Sequence, residues 1–243
     1  MRSIRIGLLV GLLVAAGPSR AADQPARRTP RQALQAFNDL IGSWRATGEP
    51  EGTFQDKQRG FWTESLAWAW RFKGDDAWLE VAIDRGKHFR GGELRYLPDK
   101  DRFRLDAVTA DKVKQTFEGP FANGKLTLER HDDKTKETQR LVVTLLHANR
   151  FLYRYEVKAA GRPTFKRLYQ VGCTKEGVPF AVAGDSGPEC VVSGGRGTIP
   201  VTYKGQTYYV CCTGCRDAFK EDPEKYLKEY AERKAKEAKE NNR

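Results

Sequence analysis

The residues from Ser43 to about Val171 follow a two-residue hydrophobic period over most of their length. In the clearest run, Trp62 to Phe72, the large apolar side chains fall on even positions and mostly small or polar residues stand between them. Such alternation is typical of β-strands that bury one face. Turn signals such as Asn123-Gly124 separate the runs. The pattern predicts about ten short antiparallel strands joined by hairpins.

Hairpins along the whole segment favour an up-and-down barrel, because closure removes exposed strand edges. Before the first strand, Thr29 and Pro30 predict the start of a helix that runs to about Leu40. The following Gly42-Ser43-Trp44 resembles the Gly-x-Trp first strand of lipocalin-like barrels. This resemblance implies a mainly β fold, with a lipocalin-like barrel over residues 31–172. It also implies that the tryptophan plugs one end of the barrel.

A barrel of this size can hold a small apolar ligand in its interior. The candidate lining residues are four tryptophans: Trp62, Trp68, Trp70 and Trp78. The alternative is that these rings simply fill the core. The three histidines are far apart, and no Ser-His-Asp set can be assembled from the barrel segment. We therefore predict that the protein is not an enzyme.

The first 21 residues have the features of a secretory signal peptide. Arg2 and Arg5 precede a short apolar stretch, and Ser19 and Ala21 stand at the small-residue positions of a cleavage site. The stretch is too short to cross a bilayer with ease, although an uncleaved anchor is the alternative. We expect export to the periplasm or the medium, no membrane span after cleavage, and a polar leader at residues 22–30.

The chain carries a formal net charge of +11. The signal segment contains three arginines and no acidic residue, so its removal lowers this charge to +8. Basic residues alternate with acidic ones along the predicted strands and helices, as expected of a solvated surface. We therefore expect no nucleic-acid partner. The sequence leaves the oligomeric state open.

Four of the five cysteines lie within 26 residues, in the pattern Cys190-x20-Cys211-x3-Cys215 with Cys212 beside Cys211. Residues 201–211 predict a hairpin that turns at Gly205, and a helix starts near Thr213. Cys190 would join them from the preceding loop. Three thiolates suit Cu(I) or Zn(II). Zinc would need a fourth ligand, for which Cys212 and Cys173 are the candidates.

The residues around these cysteines resemble the TRASH-like, or YHS-type, metal-binding module. The resemblance rests on the cysteine spacing, on Tyr203-Lys204-Gly205 and Tyr208-Tyr209 of the hairpin, and on Asp222-Pro223 of the terminal helix. It covers residues 187–230, leaving 173–186 as a linker and 231–243 as a charged helical tail. It implies a small α+β knuckle of the treble-clef or zinc-ribbon kind, linked to metal sensing, trafficking or resistance.

The cysteine cluster predicts an exported protein that binds a soft metal ion, for metal handling or as a structural zinc site. Two alternative functions compete with metal binding. In an oxidising compartment the cysteines could form disulfides and be purely structural, leaving a small apolar ligand in the barrel as the functional partner. The vicinal pair Cys211-Cys212 also leaves a thiol redox role open.

Overall fold

The computed structural model describes residues 28–177 and 187–241. The predicted signal peptide and nearly all of the leader lie outside the described residues, as does most of the predicted linker 173–186. Within the described parts of the chain, no helix is both long and apolar enough to cross a membrane.

The first large unit is a closed antiparallel barrel, as the alternating pattern predicted. Its strands follow one another around the wall, β1 pairs with β11, and a bridge between Glu118 and Glu129 joins β6 to β8. Ten strands are long and one has two residues. Their bounds are β1 Gly42–Pro50, β2 Trp62–Lys73, β3 Asp76–Asp84, β4 Phe89–Leu97, β5 Arg102–Thr109, β6 Lys114–Gly119, β7 Phe121–Ala122, β8 Lys125–Asp132, β9 Glu137–His147, β10 Arg150–Lys158 and β11 Lys166–Lys175.

The even positions of β2 face the barrel interior, where Leu66, Trp68 and Trp70 are buried. The last strand continues four residues beyond its predicted end at Val171, because residues up to Lys175 pair with β1. Cys173 therefore belongs to the barrel wall and not to a linker. The structure confirms a closed barrel, while the lipocalin-like assignment stays a prediction.

One end of the barrel is covered by the predicted N-terminal helix. It begins with α1, Pro30–Leu34, which Thr29 and Gln32 cap reciprocally, and continues as a 3₁₀ helix over Gln35–Leu40. Leu34, Phe37 and Leu40 are buried beneath it. The indole of Trp44 donates a hydrogen bond of 2.7 Å to the carbonyl of Leu40. At the opposite end, a short helix that the sequence did not predict, α2 (Phe54–Gly60), joins β1 to β2.

The C-terminal unit is a small α+β module. It consists of the hairpin β12 (Ile199–Tyr203) and β13 (Gln206–Val210), followed by α3 (Thr213–Glu221) and α4 (Pro223–Asn241). Lys204 and Gly205 both have positive φ, 48° and 78°, as a two-residue hairpin turn requires. α4 continues into the predicted charged helical tail as far as Asn241, and Arg233 and Lys234 of this part both form ion pairs with Glu189.

The module packs on the covered end of the barrel. A Cβ on Gly214, in the first turn of α3, would lie 1.7 Å from the carbonyl oxygen of Trp70, so only glycine permits this close approach. Lys225 of α4 forms an ion pair of 2.9 Å with Asp75, and Glu229 pairs with Arg31 of α1. The cysteine cluster thus lies next to the barrel end and its covering helix.

Candidate metal centre

Two of the sulfur atoms come from the junction between the hairpin and α3. Cys211 directly follows β13, and Cys215 is the third residue of α3. Between them Cys212 is the N-cap residue, with an extended backbone (φ −158°, ψ 172°) that turns the chain into the helix. The Sγ atoms of Cys211 and Cys215 lie 3.5 Å apart. The x3 spacing therefore brings both thiols to one side of the helix start.

The third sulfur comes from a tight loop that lies beside β13. The Val191 N–H donates to the carbonyl of Tyr209 at 3.0 Å, and the Gly194 N–H donates to the carbonyl of Cys190 at 2.9 Å. The backbone N–H of Ser193 donates to Cys190 Sγ at 3.4 Å. Its hydroxyl oxygen lies 3.3 Å from Cys211 Sγ. The loop thus directs Cys190 towards the other two cysteines.

The Sγ atoms of Cys190, Cys211 and Cys215 all lie within 4.8 Å of one another. Cys190 and Cys215 are completely buried, and Cys211 is partly exposed. Two thiolates bound at about 2.3 Å to one tetrahedral ion lie roughly 3.8 Å apart. The cluster is therefore close to the geometry of a shared ion, and its donor set is that of a soft metal.

All five cysteines carry free thiols. The 3.5 Å between Cys211 Sγ and Cys215 Sγ is well above the roughly 2.05 Å of a disulfide bond. In the described structure the sulfur atoms are thus available as ligands. The disulfide alternative has no bond to support it here.

Hydrogen bonds and burial within the cluster shift the pKa values of its thiols in opposite directions. Hydrogen bonds from Cys211 and Cys215 lower the pKa of Cys190, and bonds from the same two residues lower the pKa of Cys212. In return, the hydrogen bond with Cys190 raises the pKa of Cys211, and burial raises the pKa of Cys215. The sulfurs share protons that a bound cation would replace, so metal binding is expected to release protons.

The two candidate fourth ligands occupy different places. Cys212 Sγ lies 3.9 Å from Cys211 Sγ, but Cys212 is not part of the group whose sulfurs lie mutually within 4.8 Å. Cys173 is buried in β11, where burial and the carboxylate of Glu64 raise the pKa of its thiol. The cluster does not include it. Of the two, only Cys212 contacts the cluster.

A second set of residues, from elements distant in sequence, holds the Cys190 loop in place. The carbonyl of Ser193 accepts hydrogen bonds of 3.0 Å from the side-chain amides of both Gln35 and Asn38. Asn38 Oδ1 in turn accepts a bond of 3.2 Å from Trp70 Nε1. From the other side, Arg233 donates to the carbonyls of Cys190 and Val191 at 3.4 Å.

These supporting residues were not found by sequence reasoning. Ser193 lies three residues after Cys190, in the run Cys190-Val-Val-Ser-Gly194, and this proximity is the one local signal for it. Nothing in the sequence around Asn38 or Arg233 distinguishes them from ordinary surface residues of a helix. Their role depends on how the module packs on the barrel.

The four candidate tryptophans of the barrel have different surroundings. Trp68 lines an apolar internal cavity of about 60 Å³. Trp62 borders a separate cleft at the far end of the barrel. Trp70 is stacked on Phe72 and packs beneath the module. Trp78 does not line the cavity: its neighbours Ala77 and Leu79 point inwards, so its ring lies on the outer face under Arg95.

The internal cavity is small for a carrier. An engineered protein cavity of roughly 150 Å³ admits benzene. At about 60 Å³, the barrel cavity has room only for a smaller molecule.

Residues 198–230 match the family profile of the YHS domain. The matched segment contains the hairpin, Cys211, Cys212 and Cys215, and ends before the last part of α4. Cys190 lies upstream of it and joins the site through the fold. No curated protein matches the chain. The YHS match and the sulfur cluster together indicate a metal-binding module at the C-terminus, while the TRASH name stays a prediction.

Proposed function

We propose that this protein is an exported, non-enzymatic metal-binding protein. In this proposal Cys190, Cys211 and Cys215 hold one soft ion, Cu(I) or Zn(II). The observation that carries it is the convergence of three free sulfur atoms from a loop, a strand end and a helix start. Binding one ion would tie these three chain segments together, which is how a small module with little core gains stability.

The choice between the two ions depends on the fourth ligand. Zn(II) in structural sites takes four ligands in a tetrahedron, whereas soft thiolate sets also suit Cu(I). A three-sulfur group therefore favours Cu(I) unless Cys212 joins it. Cys212 Sγ lies 3.9 Å from Cys211 Sγ but outside the three-sulfur group, so it would have to turn towards Cys190 and Cys215 to become the fourth ligand for zinc.

Metal handling is favoured over a purely structural ion by the accessibility of one ligand. Cys211 is partly exposed, whereas Cys190 and Cys215 are fully buried. An incoming donor or acceptor thiol would thus meet Cys211 first. The hydrogen bonds from Gln35, Asn38 and Arg233 would keep the loop in place while the ion is exchanged.

The proposal is tested by elemental analysis of the mature protein, purified without oxygen and in the presence of a reductant. We expect about one equivalent of zinc or copper per chain, and a strong loss of metal in Cys211→Ser. The matched control is Cys173→Ala, which removes a buried thiol outside the cluster and should retain the metal. Cys212→Ser should release zinc but not Cu(I).

Three outcomes would contradict the proposal. One is a metal-free wild-type protein that also fails to take up Cu(I) or Zn(II) on addition. Another is metal retained undiminished by a folded Cys211→Ser variant. The third is a thiol titration of the metal-free protein, isolated without oxygen and without added reductant, that finds the cluster cysteines paired as disulfides.

A further inference from the structure

An open cleft lies at the end of the barrel away from the cysteine module. Trp62 begins β2 at this end, whereas Trp70, eight residues later in the same strand, contacts α3. The cleft has a volume of about 400 Å³, and its lining includes Trp62, Lys87, His88, Tyr155, Leu168 and Tyr169. This volume falls within the range of small-molecule sites, roughly 300–1,000 Å³. None of the cysteines borders it.

The wall of the cleft is a stack of aromatic rings. His88 lies flat on Tyr169 with ring centroids 4.0 Å apart, and Tyr169 lies flat on Tyr155 at 5.3 Å. The edge of Trp62 meets both His88, at 5.1 Å, and Tyr169, at 5.6 Å. Lys87 places its ammonium 4.7 Å from the centre of the Trp62 ring. Because each ring is held by its neighbours, the wall is formed before any ligand arrives.

Two polar atoms of this wall, the hydroxyls of Tyr155 and Tyr169, make no hydrogen bond to another side chain or backbone group among residues 28–177 and 187–241, whereas the groups around Glu64 are satisfied. Tyr153 donates to the buried carboxylate of Glu64, and Trp62 Nε1 donates to the same carboxylate at 2.9 Å. Tyr169 is only 5 % exposed as a whole residue, but its hydroxyl oxygen and that of Tyr155 are not among the fully buried atoms and open onto the cleft. A hydroxyl that opens onto a cleft is free to bond with water or with a bound ligand, so these two O–H groups can donate to an acceptor placed in the cleft.

The two hydroxyls are hydrogen-bond donors at neutral pH. Burial raises the pKa of Tyr155 to about 12 and raises that of Tyr169 well above its usual value. The two residues are cross-strand partners on β10 and β11, so their side chains leave the sheet next to each other. The cleft therefore offers a pair of O–H donors and one ammonium group, beside apolar surface from Trp62 and Leu168.

We propose that this cleft binds a small organic monoanion, such as a carboxylic acid with a flat apolar body. Its oxyanion accepts hydrogen bonds from Tyr155 and Tyr169 and lies within the field of Lys87. Its apolar body packs on Trp62 and Leu168. Asp111 also borders the cleft and repels a second negative charge, which selects monoanions over dianions. This site is independent of the metal proposal, because it shares no residue with the cysteine cluster.

The test is calorimetric titration of the full-length mature protein with 2-naphthoate, the neutral 2-naphthamide and the dianion 2,6-naphthalenedicarboxylate. We expect 2-naphthoate to bind most tightly. A hydrogen bond to a charged group typically changes affinity by about tenfold or more, so Tyr169→Phe and Tyr155→Phe should each weaken naphthoate binding by about that factor. Both variants keep the ring and remove only the oxygen.

Two controls separate a specific site from general attraction to a basic protein. Tyr208→Phe removes a hydroxyl from the module, where it contacts Gln206, and should leave naphthoate binding unchanged. Lys87→Gln should weaken binding, whereas Lys73→Gln, at the other end of the barrel, should not. The proposal is overturned if naphthoate does not bind, if the amide binds equally well, or if folded Tyr169→Phe and Tyr155→Phe variants bind like the wild type.

Discussion

Replacing Asn38 by leucine tests whether the barrel end supports the metal site. In the structure, one amide links the two units: Asn38 donates to the carbonyl of Ser193 at 3.0 Å and accepts from Trp70 at 3.2 Å. Leucine has the same number and branching of side-chain heavy atoms, in a somewhat larger volume, but neither polar group. The substitution leaves the indole N–H of Trp70, a residue with 0 % exposure, without an acceptor.

The magnitude follows from that buried donor. Leaving a buried donor unsatisfied costs about 1–3 kcal/mol. For a protein of this size, each kcal/mol lowers Tm by roughly 2–4 °C. The loss of the bond to Ser193 is smaller in the metal-free protein, because Gln35 still donates to the same carbonyl. In the metal-bound protein, losing the Asn38–Ser193 hydrogen bond has a larger effect on stability, since the loop that holds Cys190 must then keep one conformation.

The assay is thermal unfolding with and without bound metal, together with a chelator competition that measures metal affinity. We expect Asn38→Leu to lower Tm in both forms and to weaken metal binding. Asn38→Asp retains an acceptor for Trp70 but places a carboxylate against the carbonyl of Ser193, so metal affinity should fall with less loss of stability. If Asn38→Leu unfolds and binds metal like the wild type, the link between barrel and metal site is wrong.

Three further predictions concern other parts of the chain. Gly214→Ala would place a Cβ 1.7 Å from the carbonyl oxygen of Trp70, so α3 must shift. We therefore expect a lower Tm and, in chelator competition, weaker metal binding. An unchanged Tm and metal affinity would contradict the close packing of α3 on β2. Burial, and to a lesser degree the positive charge of Lys87, lowers the pKa of His88 in the folded protein. As the pH falls below about 6.5, the unfolded chain therefore takes up a proton at His88 before the folded protein does. The free energy of unfolding should therefore fall as pH drops through this range in urea titrations, and a His88→Gln variant with the same pH dependence would refute this origin. Signal cleavage predicts that intact-mass measurement of the exported protein finds a chain beginning at Ala22, whereas a chain that retains Arg20 would contradict the assigned cleavage site.

The barrel could be predicted because its signal is local. Alternation along β2 shows the two faces of the strand, and turn residues such as Asn123-Gly124 show where strands end. What alternation does not show is which face points inwards. For Trp78, size suggested the interior, but its pairing with Arg71 puts it on the outer face with the other even residues of β3.

In the metal site, too, the contacts between residues close in sequence could be predicted, whereas those between distant residues could not. Cys211 and Cys215 belong to one hairpin and one helix start, so their spacing alone was informative, and the turn at Gly205 supported it. Asn38 contacts Ser193 across 155 residues of sequence, and Arg233 reaches Cys190 across 43. Contacts of this kind depend on how the units pack together, which no local pattern records.

X-ray absorption spectroscopy of the metal-loaded mature protein tests the central claim most directly, because it counts the atoms bound to the ion. We predict at least three sulfur neighbours at about 2.3 Å, and a fourth if Cys212 joins a zinc site. Cys190→Ser should remove one of them, since its Sγ lies within 4.8 Å of the other two. A first shell made mainly of nitrogen or oxygen, or one with fewer than three sulfurs, would contradict the three-cysteine site.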